Sequence, residues 1–108
     1  MMATSSPEEQ TFLELISVIE TAIAYGVNGL CARAIARDLI TINQRQSINA
    51  AGAQHQQATL FTGMIAQQMN NNPERVMKNF IEILAQEGIY GKLIERIGKY
   101  SLKNLGCE

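Results

Sequence analysis

Cysteine is too scarce here for a disulfide framework. Cys31 and Cys107 are the only two in 108 residues. So few thiols fit a reduced intracellular compartment better than a secreted scaffold held by bridges. Even with the single histidine, His55, they fall short of the four Cys or His ligands of a structural zinc site. Charge is sparse as well, at 18% Lys, Arg, Asp and Glu with a formal net charge of -1. No basic balance therefore points to nucleic acid or an anionic membrane surface. No apolar run approaches the ~18 residues that cross a bilayer. The opening MMATSSPEEQ lacks the basic region and apolar segment of a secretory leader. Neither a GxxxxGKS/T nor a GxGxxG phosphate loop occurs. Together these absences favour a cytoplasmic domain with no bound cofactor or metal.

What is present is helical periodicity. Hydrophobic residues make up 46% of the chain, enough for one real core at this length, and no segment alternates as a strand does. A first helix is announced by Ser6-Pro7-Glu8-Glu9, with Ser6 as N-cap, Pro7 in the first turn and Glu9 in the reciprocal capping position. Phe12, Leu15, Ile16, Ile19 and Ile23 follow on one face, and Tyr25-Gly26 closes the helix, with Gly26 suited to a left-handed turn. A second helix is predicted from a cap at Asn28 to Arg37, and a third from Ile42 to Ala51. The apolar elbow Leu39-Ile40 lies between them, and Thr41 and Gln44 form a capping box.

A fourth helix spans Ala53 to Met69, with Leu60, Phe61, Met64, Ile65 and Met69 inward and Gly63 pointing to a close packing contact. Asn72-Pro73 opens a fifth helix that ends at Gly88, and a sixth covers Tyr90 to Tyr100. The expected architecture is all-α, a six-helix antiparallel bundle over residues 8–101, between tails at 1–7 and 102–108.

Residues 27–48 resemble the second and third helices of caspase recruitment domains, the CARD branch of the death-fold superfamily. The likeness rests on Leu30-Cys31, Ala34-Ile35, Leu39-Ile40-Thr41 and Ile48 in gapless register. Residues 80–97, FIEILAQEGIYGKLIERI, resemble that family's fifth and sixth helices through Phe80, Leu84, Gly88, Leu93 and Ile97. Ala58 to Ile65 resembles the fourth, except that Gly63 stands where an apolar residue is commoner. The likeness covers about residues 8–100. Death-effector and pyrin domains share the six-helix plan, although the Arg-x-Asp-Leu triplet of the death-effector branch is absent from the last helix.

The resemblance implies a module for homotypic protein–protein interaction. Its partners would be CARD-type or other death-fold domains, itself included, in apoptotic or innate-immune signalling, and activation would come by proximity. Met1-Met2 reads as a natural start, which suits the N-terminal domain of a caspase, adaptor or sensor.

No catalytic constellation emerges. Cys31, His55 and Asp38 are the residues able to supply a thiol, a base and an orienting group. Their spacing matches no local signature, and Cys31 falls on an apolar face where an inert thiol is usual. An enzyme is not expected. Charge is the remaining signal: Arg33, Arg37 and Arg45 lie on the second and third helices, and Glu14 and Glu20 on the first. In death folds a patch on the first and fourth helices docks on the second and third of the next copy. These acidic and basic sets are complementary within one sequence and suit a head-to-tail assembly. The fourth helix, with Gln54, Gln56, Gln57, Thr59, Gln67 and Gln68, lacks the charge usual there. That departure leaves room for a monomeric regulatory decoy of the same fold. A stripe of Lys92, Arg96, Lys99 and Lys103 offers a further alternative, a small helical domain binding an anion or nucleic acid.

Overall fold

The computed structural model describes residues 6–104. They form seven helices and no strand: α1 (Pro7–Glu14), α2 (Ile16–Ile23), α3 (Val27–Ala36), α4 (Ile42–Ala50), α5 (Gln54–Met69), α6 (Pro73–Glu87) and α7 (Gly91–Asn104). The fold is all-α, as expected, but the predicted first helix is two. It breaks at Leu15, where φ/ψ is -104°/8°. The hydroxyl of Thr11 donates to the Pro7 carbonyl at 2.8 Å, a back-bond of the kind that bends helices. The bend serves packing. α1 lies against α5, α6 and α7, whereas α2 lies on α5. One straight rod could not bury Phe12 and Leu15 on the first set of neighbours and Ile19 and Ile23 on the second, yet all four are buried.

α5 is the central helix, in contact with α1, α2, α3, α4 and α6. Its inward stripe is Ala58, Phe61, Thr62, Ile65 and Met69. Leu60, expected inward, is 39% exposed, because Thr62 occupies the inner face in its place. The aromatic centre is completed by Phe12 and Phe80, whose rings meet edge-on at 5.4 Å, the arrangement their quadrupoles favour.

The elbow between α3 and α4 has a specific construction. Leu39 N–H donates to the Ala34 carbonyl at 2.8 Å and Asp38 N–H to that of Ile35 at 3.1 Å. This is a Schellman turn, which needs a left-handed residue at the position of Asp38. Asp38 has φ 61° and is the one non-glycine residue with positive φ among those described. The strain is about 1 kcal/mol, whereas fully burying a Leu or Ile contributes ~1.5–3 kcal/mol. Leu39 and Ile40 are both buried, so the turn wins. Thr41 then opens α4 with the predicted capping box: Gln44 N–H donates to Thr41 Oγ1 at 3.1 Å, and Thr41 N–H to Gln44 Oε1 at 2.9 Å.

Three boundaries and one packing contact differ from expectation. α2 ends at Ile23, and Gly26, at φ -125°, is not left-handed. Glycine is favoured there because a Cβ would lie 2.4 Å from the Tyr90 hydroxyl oxygen and force the ring to shift. α3 starts at Val27 with Gly26 as its N-cap and no side-chain cap, so Asn28 is not the cap. Gly63 has no neighbour within 4 Å of where its Cβ would be, so no close packing explains it. α7 runs on to Asn104, past the tail expected from residue 102, because the Asn104 amide is tied to α1, donating to Thr11 Oγ1 at 2.9 Å.

Two stability outcomes follow from these turns. Asp38→Gly is expected to raise the unfolding free energy by about 0.5–1 kcal/mol, measured by urea denaturation, since glycine takes the left-handed turn without strain. Gly26→Ala is expected to lower it by about 1–3 kcal/mol through overpacking. Adding Tyr90→Phe, which removes the obstructing oxygen, should recover part of that loss.

Candidate interaction surface

Small residues decide how α3 meets α6. Gly29, Ala32 and Ala36 run along one flank of α3. They line an open groove of about 770 Å³, with Arg33, Arg37, Gln86 and Glu87 as its other walls. At Gly29 a Cβ would sit 3.2 Å from a Glu87 carboxylate oxygen, a tight contact that the glycine relieves. Into that position Arg33 Nε donates to Glu87 Oε2 at 2.5 Å, and Arg33 Nη1 to Gln86 Oε1 at 3.3 Å. One turn on, Arg37 pairs with Glu82 and donates to Asn79 Oδ1 at 3.2 Å. Arg75 reaches back to the Arg37 carbonyl at 3.1 Å and covers the end of α3.

Arg33 and Arg37 are therefore together, as expected, but not as free cations. Each is held by a carboxylate of α6. Both pairs are partly exposed, and pairs of that kind typically contribute about 0.2–1 kcal/mol. They orient the side chains more than they stabilise the fold. Arg45 does not join them: it lines no part of the groove. It is half-buried on α4, and its charge acts instead on the Cys31 thiol.

The two acidic positions are engaged as well. Glu14, the last residue of α1, accepts from Gln10 Nε2 at 3.0 Å and from Asn104 Nδ2 at 3.3 Å. The Gln10 amide, then the Asn104 amide and the charge of Lys103, hold its carboxyl below the usual range. Glu20 of α2 accepts from the buried Thr62 hydroxyl at 3.0 Å. That contact gives the one polar residue on the inner stripe of α5 a charged partner. The bend at Leu15 places Glu14 and Glu20 on two separate helices.

Several of these partners had no signal in the sequence. Glu82 and Glu87 lie 45 and 54 residues from the arginines they bind, and only the α3–α6 packing brings them close. Thr62 did leave a trace, a hydroxyl on the core-facing line of an apolar helix.

The basic stripe of α7 is solvent-facing: Lys92, Arg96, Lys99 and Lys103 are all exposed. No ion pair among the described residues involves them. Lys103 Nζ lies 5.5 Å from the centre of the Tyr100 ring, within range of a cation–π attraction. Lys92, Glu95, Arg96, Lys99 and Tyr100 line a shallow hollow of about 390 Å³.

On α5 the outward stripe is uncharged. Gln56, Thr59, Leu60, Gly63 and Gln67 are all exposed. Gly63 in the middle of that helix costs about 1 kcal/mol relative to alanine, and no described residue lies within 4 Å of where its Cβ would be.

Cys31 is fully buried. Burial pushes its thiol from the usual 9.0 up to about 11, against a smaller lowering by Arg45. It is therefore protonated at neutral pH. His55 and Asp38 are both exposed. Among the described residues no three His, Cys, Asp or Glu side chains gather as metal ligands, and no helix is long and apolar enough to cross a membrane.

Comparison with protein-family models, with curated proteins and with solved structures finds no match to this chain.

The buried thiol ties stability to pH. Its folded value lies above its unfolded one, so its contribution is complete below pH 9.0 and is lost as pH rises towards about 11. Two units correspond to about 2–3 kcal/mol. Urea unfolding from about pH 8 to about pH 11 should show that decline. Cys31→Ala should flatten it relative to the parent chain.

Proposed function

We propose that this chain is a protein–protein interaction module, a death-fold domain of the CARD type. It would recruit or assemble with domains of the same fold, itself included, in apoptotic or innate-immune signalling. The observation that carries the reading is the groove between α3 and α6, beside the elbow that leads from α3 into α4. A Schellman turn and a capping box lock the elbow. Arg33 and Arg37 line a groove floored by Gly29, Ala32 and Ala36, where a partner helix meets little side-chain bulk.

A guanidinium has five N–H donors in a planar fork. Arg33 commits its Nε and one Nη1 proton within the chain, which leaves donors for an incoming carboxylate. In this reading Glu82 and Glu87 hold the two arginines in register, and a partner acid shares or displaces them. Arg45, outside the groove, contributes to the field around α4. Glu14 and Glu20, both hydrogen-bonded within the chain, make a weaker acidic counterpart than their sequence positions suggest. The effect on signalling would be proximity: assembly raises the effective concentration of whatever is fused to or bound by the domain. The setting would be the cytoplasm.

The same ion pairs favour a second reading. With both arginines neutralised by α6, the domain would remain a monomer that caps a partner without propagating, a regulatory decoy. The four exposed cations of α7 support an anion-binding role less well, because Glu95 lies within the stripe and Glu14 stands by Lys103.

Light scattering over a concentration series separates the readings. If the arginines form the contact, Arg33→Glu and Arg37→Glu each abolish head-to-tail growth beyond a dimer while helicity is retained. Glu87→Gln, which releases Arg33 without reversing charge, should strengthen assembly. A parent chain that stays monomeric throughout supports the decoy. Assembly indifferent to all three substitutions removes the arginine contact.

A further inference from the structure

We propose that the outer stripe of α5 is a two-fold contact with a second copy of this chain. Gln56, Thr59, Leu60, Gly63 and Gln67 recur at i, i+3, i+4, i+7 and i+11, all exposed, along ~16 Å of one helix. Three features point to self-pairing, none of them shared with the arginine groove.

The first is Gly63. It lowers the stability of the helix, and a Cβ placed on it would meet nothing within 4 Å among the described residues. Proteins break local rules chiefly at functional or strained sites, which makes an open glycine inside a helix a candidate contact point. The absence of a Cβ lets a second helix cross closely at that point.

The second is shape. Leu60 is 39% exposed and borders a hollow of about 310 Å³ lined by Ala51, Gln56, Thr59 and Leu60 itself. An apolar knob and an apolar hollow on one patch fit their own images, which is what an isologous contact demands.

The third is charge, and it selects the occupant. Across a two-fold axis every residue meets the same patch, so a charge near the axis meets its like. α4 and α5 hold a single Lys, Arg, Asp or Glu between them, Arg45, and that charge bears on Cys31 of α3. Two other helical surfaces carry an excess of one sign, which disfavours self-pairing there. α1 and α2 carry Glu8, Glu9, Glu14 and Glu20 and no cation, and α7 carries four cations against Glu95. Gly98 of α7 is as open as Gly63, but it lies on that cationic helix. On α5 each glutamine amide supplies both donor and acceptor, so an amide can pair with its own copy. One helix stripe is small beside a standard interface, and the dimer is accordingly weak and reversible.

The contact is tested by sedimentation equilibrium of the full chain over a concentration series at low and high salt. The parent chain should dimerise with little salt dependence. Gln56→Glu and Gln56→Lys should each weaken dimerisation about tenfold or more at low salt. An equimolar mixture of the two should restore it, because opposite charges then face each other across the axis. Gly63→Gln should raise Tm while weakening the dimer, a separation that a purely structural role would not produce. Arg33→Glu should leave this dimer intact, which keeps it distinct from the arginine contact. A parent chain monomeric at every concentration, or a mixture no better than its components, overturns the proposal.

Discussion

Everything in this fold depends on burying the inner stripe of α5. A helix that touches five others cannot be covered by straight rods in sequence order, so the chain must change direction where its neighbours require it. Two such changes differ in mechanism. At Leu15 the path bends within an apolar run, and the Thr11 back-bond to Pro7 is the local device. At Asp38 the path reverses through a Schellman turn that an aspartate makes under strain. In both cases the residues delivered to the core, Phe12 and Leu15 or Leu39 and Ile40, are worth more buried than the local distortion costs.

The polar residue on that stripe shows how the constraint spreads. Thr62 is fully buried, and its single proton has the Glu20 carboxylate and the Ala58 and Thr59 carbonyls within reach. A buried hydroxyl without a partner would cost about 1–3 kcal/mol. Placing Thr62 inward therefore recruits Glu20 as a hydrogen-bond acceptor, removes it from any acidic docking face, and turns Leu60 outward. One side-chain choice in the core thus reaches the surface on both α2 and α5.

Much of the helical layout was legible in the sequence, because its signals are local. Ser6 and Pro7, the Thr41–Gln44 box, Pro73 and left-handed Gly88 each act within a few residues, and the structure has them all at helix ends. The inward positions of α6 follow its period. What escaped depends on contacts distant in sequence. The split at Leu15 interrupts no apolar pattern. Gly26 looked like a helix stop, yet it serves Tyr90, sixty-four residues on. The last helix continues to Asn104 because of a bond to Thr11 across 93 residues. The arginine patch was half legible: the spacing of Arg33 and Arg37 put them on one flank, but nothing local revealed the α6 carboxylates.

Those carboxylates change what kind of surface the molecule offers. An exposed, unpaired guanidinium attracts anions at range and gives speed and register to association. One already held at 2.5 Å by Glu87 exchanges partners, so the gain on binding is a difference between two ion pairs and is correspondingly small. Strong charge-driven docking at the groove is then unlike a free basic patch and must draw on the shape that Gly29, Ala32 and Ala36 leave open. The same reasoning sorts the local irregularities of the fold. Asp38 is explained by the apolar residues its turn buries, and Thr62 by its partner Glu20. Gly63 alone of the three has no explanation inside the molecule, and it lies on the helix whose outer face carries no charge.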